Sequence, residues 1–390
     1  MILKKMKENP AVFLIFIFGI VSLLGDMTYE GARGVVGPYL ASLGASAAFV
    51  GFISGVGEFL GYSLRIISGY LTDKTNRVWT FTILGYLMIF SIPLIGLTNS
   101  WQIAAIFIVL ERIGKAVRTP ARDVILSYAT KKIGTGLGFG MHEAMDQIGA
   151  IIGPLLFGLF LYCGLGYKKG FLLLIFPCII MVIALLIAKQ IVKNPKLLEK
   201  DKRAIAEKKQ DIPFIFWIYI LFSATSVMGF VNFQIISYHC KIKHILDDSL
   251  IPVLYALAMG VDAIFALIIG RIYDNFGVKT IFIIPFINLI IPFFVFMKNI
   301  YFLILGIIIW GMAMGMYETV MRAYIADIIP INKRGYSYGV FNTVFGLSYF
   351  LGSFFIGFLY SLNLTYITIY IIFINVMSIL IGIQLIKKAG

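Results

Sequence analysis

The sequence predicts an all-α polytopic membrane protein: twelve transmembrane helices arranged as two pseudo-symmetric six-helix bundles, with both termini in the cytoplasm. Three observations carry that prediction. They are a composition unsuited to water, a succession of apolar stretches of membrane-spanning length, and glycines that recur at about half the chain length. Of 390 residues, 60% are hydrophobic and 13% charged, whereas a soluble domain carries about 25% charged residues. Such a chain lacks the polar surface to cover a globular body in water. That excludes a disordered chain, a small disulfide-stapled domain and an ordinary soluble enzyme.

A helix needs about 20 apolar residues to cross a hydrocarbon layer roughly 30 Å thick. By that measure the spans fall at about 11–40, 47–70, 78–97, 101–129, 136–162, 168–190, 213–238, 249–271, 279–297, 300–328, 335–361 and 364–386. The first follows Lys4, Lys5 and Lys7 as a signal peptide would, but it runs on through Asp26 and Glu30, so it is read as a retained span. Several spans exceed the minimum, so tilt or protrusion is expected. Phe171–Ala188 is unbroken apolar sequence, which argues against a barrel strand with its alternating pattern.

Charge position sets the orientation. With the N-terminus inside, the cytoplasmic segments hold 21 Lys and Arg residues and the outer loops five, Lys168, Lys169, Lys241, Lys243 and Lys298. Positive residues are retained on the cytoplasmic side, so the formal charge of +14 reflects topology and implies no nucleic-acid partner. The protein is expected in the cytoplasmic (inner) membrane, in contact with lipid, with both termini in the cytoplasm. The hydrophilic stretch Lys189–Asp211 separates six spans from six and reads as a solvated linker at the lipid surface. The expected domains are therefore 1–191, a basic linker 192–211, and 212–390. Cys163, Cys178 and Cys240 are odd in number and lack metal-site spacing, so neither a disulfide framework nor a zinc site is expected.

The two halves also echo each other. Gly69-Tyr70-Leu71-Thr72-Asp73 recurs as Gly270-Arg271-Ile272-Tyr273-Asp274, an offset of 201, and Gly140, Gly153 and Gly158 recur as Gly339, Gly352 and Gly357, an offset of 199. Two similar bundles related by an axis along the membrane normal can rock about a central site, the geometry of alternating access.

One ionised side chain at the centre of a spanning helix costs on the order of 2.5–3.5 kcal/mol, yet this chain places many there. The first span has Asp26, Glu30 and Arg33 on one face, and the second Glu58 and Arg65. The fourth carries Glu111, Lys115, Arg118 and Arg122 as one stripe, with Arg112 beside it and Asp123 at its end. The fifth adds His142 and Asp146 at i, i+4, with Glu143 adjacent. The second half holds Asp262, Glu318 and Arg322, with Asn232 and Gln234 as neutral polar groups. Six acids in the first half would cost roughly 15–21 kcal/mol if unpaired, so they must face one another, the basic stripe or a wet cavity. A polar translocation route lined mainly by the first bundle is the functional reading, and interhelical ion pairs that fix packing are the structural one.

These features together resemble the major facilitator superfamily over essentially the whole chain. The family's cytoplasmic signature between spans two and three appears as Gly69-Tyr70-Leu71-Thr72-Asp73-Lys74-Thr75-Asn76-Arg77, with Asn76 in place of a glycine. Asparagine is the next most tolerant residue of a left-handed turn. The resemblance implies a charge relay latching the cytoplasmic side through Asp73 and Arg77, with Arg122 as partner and Asp274 in the weaker second copy. The family's antiporter signature in span five matches Gly140, Gly149, Gly153 and Pro154 in all three spacings. Glycines four apart let helix backbones approach closely, and Pro154 bends the helix. The family's span-four arginine is followed four residues later by a glycine; Arg112 is the nearest match, but position 116 is Ala. The segment from Glu111 to Asp123 with Gly138–Asp146 looks like a bacterial branch that includes heavy-metal efflux proteins and many members of unassigned substrate.

The expected function is secondary active transport of a small solute by proton-coupled antiport in the direction of export, by a monomer that needs no cofactor. Asp26, Glu30, Glu58, Glu143 and Asp146 are the candidate proton carriers. Arg112, Lys115 and Arg118 either bind an anionic group or hold those acids ionised. The alternatives are divalent-metal efflux, for which His142, Glu143, Asp146, Asp26 and Glu30 are suitable ligand types, and a facilitator or sensor without proton coupling. The basic stripe repels cations. An enzyme is not expected: in His142-Glu143-Ala144-Met145-Asp146 an Asp stands where a zinc-protease helix needs its second His. Tyr29, Tyr39, Phe230, Phe233 and Tyr238 could line a hydrophobic cavity, although most membrane aromatics are packing residues.

Overall fold

A computed structural model describes residues 10–130, 135–195, 212–330 and 333–389. Lys4, Lys5 and Lys7, Lys131 and Lys132, residues 196–211 of the expected linker, and the surroundings of Gly140 lie outside the described residues. Every regular element among the described residues is helical, and twelve rods follow in chain order. They are α1 (Pro10–Ser42), α2 (Ala47–Thr75), α3 (Val78–Leu97), α4 (Trp101–Thr130), α5 (Thr135–Tyr162), α6 (Gly166–Ile191), α7 (Phe214–Ile242), α8 (Ile251–Phe276), α9 (Val278–Val295), α10 (Ile300–Ile328), α11 (Arg334–Leu362) and α12 (Leu364–Ala389).

Eleven of these are long and apolar enough to cross a membrane among the described residues. The exception is α4, which has the length, 30 residues, but carries Glu111, Arg112, Lys115, Arg118, Arg122 and Asp123 along its middle. Several rods are bent or broken where a single span was expected. The longest break is in α7, whose first segment ends at Met228 and whose second begins at Phe233. Asn232 restarts the helix as its N-cap, its side chain accepting the Ile235 N–H at 2.8 Å. At the α2–α3 junction Asn76 adopts φ +56°, the left-handed conformation anticipated for a residue standing in for glycine.

The chain divides into two compact units, Met1–Arg33 with Leu64–Ala206, and Gly34–Ser63 with Glu207–Gly390. In the first unit, glycines set the approach of helices. A Cβ on Gly149 would lie 2.3 Å from the Leu23 carbonyl oxygen, and one on Gly153 2.3 Å from that of Met27, so α5 meets α1 backbone to backbone. Gly85 and Gly114 bring α3 against α4 in the same way, and Ser68 donates to the Ala116 carbonyl at 2.7 Å to tie α2 to α4.

The second unit repeats part of this plan. A Cβ on Gly352 would lie 2.5 Å from the Met228 carbonyl oxygen, so the α11–α7 contact matches the α5–α1 contact at nearly the sequence offset of the repeat. Around the α7 break, side chains from three other helices satisfy the backbone. Asn288 Nδ2 and the Tyr317 hydroxyl each donate to the Ser226 carbonyl at 2.9 Å. Trp310 Nε1 donates to Val231 at 2.7 Å and the Tyr370 hydroxyl to Met228 at 3.2 Å. With no water at this depth, such donors are what permits an interrupted helix. The second unit also includes the ends of α1 and α2 nearest their connecting loop. There α2 and α11 run antiparallel along a glycine seam in which Ala47 meets Gly357, Gly51 meets Ser353, Gly55 meets Phe350 and Phe59 meets Gly346.

Candidate functional site

The densest gathering of ionisable side chains is inside the first unit, where α1, α3, α4 and α5 converge. On α4, residues 111, 115 and 118 share one face, as the spacing predicts. Glu111 is 1% exposed; its Oε1 lies 3.3 Å from Arg118 Nη2 and its Oε2 3.3 Å from Arg112 Nε. One carboxylate thus serves two guanidiniums.

The group that α1 presents to this face is an aromatic ring. Tyr29, buried, has Arg112 Cζ at 5.7 Å, Lys115 Nζ at 4.7 Å and Arg118 Cζ at 5.3 Å from its ring centre. Lys115 Nζ also donates to the Tyr29 hydroxyl at 3.3 Å. Cations over an aromatic face are attracted by its quadrupole, more strongly when desolvated. From α3, Tyr86 lies on Arg118 with its ring 5.3 Å away, placed there by the contact of Gly85 with the Arg118 backbone. Sequence reasoning treated Tyr29 as a cavity aromatic and passed over Tyr86. The signal for Tyr29 was available, since it sits three residues from Asp26 and one from Glu30 on the costly part of α1.

The acids surround this hub. Glu30 is buried and bonded to Arg33 at 3.2 Å. Asp26 interacts electrostatically with Asp146, Lys115 and Glu30. On α5, His142 Nδ1 lies 3.4 Å from Asp146 Oδ2. The other ring nitrogen of His142 and Asp146 Oδ1 are buried without a hydrogen-bond partner. The α1–α5 glycine contact is what brings Asp146 to α1.

Other expected residues lie apart from this cluster. Glu143 is exposed, and so are Asp73, Arg77 and Asp274. Arg122 pairs with its neighbour Asp123 at 2.9 Å. Glu58 and Arg65 are half-buried on α2, in different units. In the second unit Asp262 is buried beside Gly315 of α10, Gln234 is buried, Glu318 is half-buried and Arg322 is exposed. Asn232 is occupied as the α7 cap. Phe230 and Phe233 pack into a closed cluster with Trp310, Tyr317 and Tyr255, at ring separations of 4.6–5.7 Å, so they fill space where a cavity wall was considered. Phe230 stands 201 residues after Tyr29, the same offset as the Gly69 repeat. An aromatic on α1 meets cations on α4, while its counterpart on α7 meets aromatics on α10. Among the described residues no group of three or more His, Cys, Asp or Glu side chains gathers to hold a metal ion.

Comparison with known proteins agrees with this architecture. The chain is 37% identical over 369 residues to the uncharacterized protein Rv2265 of Mycobacterium tuberculosis, covering 93% of this chain and 90% of that one. It is 30% identical over 377 residues to the uncharacterized MFS-type transporter MJ1317 of Methanocaldococcus jannaschii, covering 93% and 92%. In fold it is similar to the crystal structure of a bacterial homolog to the human lysosomal transporter Spinster in an inward-facing, occupied conformation. That match has a TM-score of 0.75 at 15% identity over 96% of this chain and 97% of that one. The Major Facilitator Superfamily matches residues 15–261 and 238–387. Helices of spanning length, a basic hub buried among them and these relatives together make the chain a multi-pass membrane transporter rather than an enzyme, and a member of the Major Facilitator Superfamily.

Proposed function

We propose that the chain exports a small solute across the cytoplasmic membrane by alternating access, as an antiporter coupled to protons. The observation that supports this most is the cluster on α1, α4 and α5. Ionisable groups at the core of a helical membrane bundle are costly to place there, and they mark routes for ions and substrates. In this reading all twelve rods cross the membrane, with both termini in the cytoplasm. Bundles 1–191 and 212–390, joined by 192–211, alternate about the site within one monomer. Asp73, Arg77, Arg122 and Asp274 form the cytoplasmic gate. Asp262, Glu318, Arg322 and Gln234 complete the route from the second half.

Asp26 and Asp146 are the proton-exchanging groups. Asp26 has Lys115, Glu30 and Asp146 as its charged neighbours, and Asp146 lies 3.4 Å from His142. A change in those neighbours during the cycle would take up or release a proton. Antiport is supported by the packing of Gly149 and Gly153 on the α1 backbone, since a seam without side chains leaves little room for leakage. The test is proton-coupled flux in proteoliposomes of the purified protein. Asp146→Asn abolishes it while leaving membrane insertion and monodispersity intact; wild-type flux in that variant overturns the assignment.

A further inference from the structure

We infer that the basic face of α4 is an oxyanion site, and that the solute carried is a small organic anion with a carboxylate, phosphate or sulfonate head. This names the class of cargo and rests on the reading of the cluster as part of the translocation route. Three cations, Arg112, Lys115 and Arg118, converge on the neutral ring of Tyr29. Glu111 is the carboxylate in ion-pair distance of both guanidiniums. Lys115 contacts the neutral Tyr29 hydroxyl, with Asp26 and Glu30 acting on it from α1, and Glu30 is itself bonded to Arg33.

Arg118 is the most informative of the three. It is 3% exposed, its guanidinium lies 5.3 Å from both the Tyr29 and the Tyr86 ring centres, and its Nη2 is taken by Glu111. Its Nη1 is buried with no hydrogen-bond partner, and the Tyr86 hydroxyl is buried with Ser22 as its polar neighbour. A guanidinium fixed beside two rings, with one nitrogen unmet, is a preformed donor. A planar or tetrahedral oxyanion satisfies such donors by charge-assisted hydrogen bonds, and an arginine presents them in the matching geometry. A cationic cargo cannot satisfy the unmet donor of Arg118. The proposed roles sit on different helices, cargo on α4 and the proton-exchanging carboxylates, Asp26 and Asp146, on α1 and α5.

The experiment uses the full-length protein, purified in detergent and reconstituted in liposomes. Thermal unfolding and calorimetric titration with sodium benzoate, inorganic phosphate and sodium sulfate are compared with tetraethylammonium chloride at matched ionic strength. At least one oxyanion is expected to raise the unfolding temperature with saturable binding. Lys115→Gln weakens that binding about tenfold, the scale of one lost charge-assisted contact. Tyr86→Phe, which removes one hydroxyl and leaves the ring, weakens it about threefold. Stabilisation by the organic cation alone overturns the inference, as does an oxyanion effect equal in wild type and both variants, or no oxyanion effect in the millimolar range. Flux separates the two readings. An oxyanion that binds at Lys115 but does not move in proteoliposomes defeats the transport reading and keeps the site, whereas proton-coupled export of a cation without any oxyanion effect keeps transport and defeats the site.

Discussion

Gly51→Leu is the sharpest probe of the conformational cycle. A Cβ at Gly51 would lie 2.2 Å from the Ser353 carbonyl oxygen and 3.2 Å from Gly357 Cα. Non-bonded heavy atoms rest about 3.5 Å apart, so even a methyl group there demands that α2 and α11 separate by more than ~1 Å. The neighbours along the seam leave no slack, because a Cβ on Gly357 would be 2.5 Å from the Ala47 carbonyl and one on Gly55 2.8 Å from Phe350 Cα. Overpacking of this kind costs about 1–3 kcal/mol, which shifts an equilibrium between closed and parted seams by about 5–150-fold.

The assay is a spin-label distance measurement between cysteines at Ser46 and Ser361, near the ends of this seam, in a background with Cys163, Cys178 and Cys240 replaced by serine. The parental protein gives a short, narrow distribution. Gly51→Leu moves population to longer distances and lowers transport, since the seam cannot re-form. Gly335→Ala, at a glycine with open space around it, is the control and changes neither. An unchanged distribution with normal turnover in Gly51→Leu would refute the claim that this backbone contact is tight and that the proposed cycle must remake it.

Three further outcomes are expected. Glu111→Gln keeps the shape of the α4 hub but removes the carboxylate charge shared by Arg112 and Arg118. Breaking a buried pair costs about 3–5 kcal/mol, so the unfolding temperature in detergent falls; an unchanged value means that the two guanidiniums are neutralised elsewhere. Trp310→Phe loses the 2.7 Å bond to the Val231 carbonyl at the α7 break and leaves a buried acceptor unmet, at about 1–3 kcal/mol. Hydrogen exchange across 229–232 is then faster, and equal protection in the variant argues that the donor is dispensable. Gly260→Ala, mid-α8 with nothing within 4 Å of the added methyl, stabilises by roughly 0.5–1 kcal/mol; a destabilised variant shows that something occupies that space.

Much of the architecture was legible because a membrane restricts the options. Helices must satisfy their own backbone in lipid, so length and composition located the rods to within a few residues at most ends, including 78–97 for α3. The face shared by Glu111, Lys115 and Arg118 followed from helical periodicity. The span-five glycines announced a close backbone approach, although nothing in their spacing said that α1 was the partner. The break in α7 was not legible. Gly229 hints at it, but the donors that make it tolerable, Trp310, Asn288, Tyr317 and Tyr370, come from rods far along the chain, and none carries a local signal.

The sequence by itself determined that this chain is a bundle of apolar helices with a repeated plan, and that expensive charges are concentrated in its first half. Those properties are sums over local composition and period, so they need no knowledge of neighbours. Only the tertiary structure decided what each charge faces. The convergence of three cations on Tyr29, the unmet nitrogen of Arg118 beside Tyr86, and the aromatic filling at the equivalent position near Phe230 depend on which helices touch and at what rotation. Those contacts are fixed by packing between residues tens to hundreds of positions apart, and the period of a single helix cannot encode them.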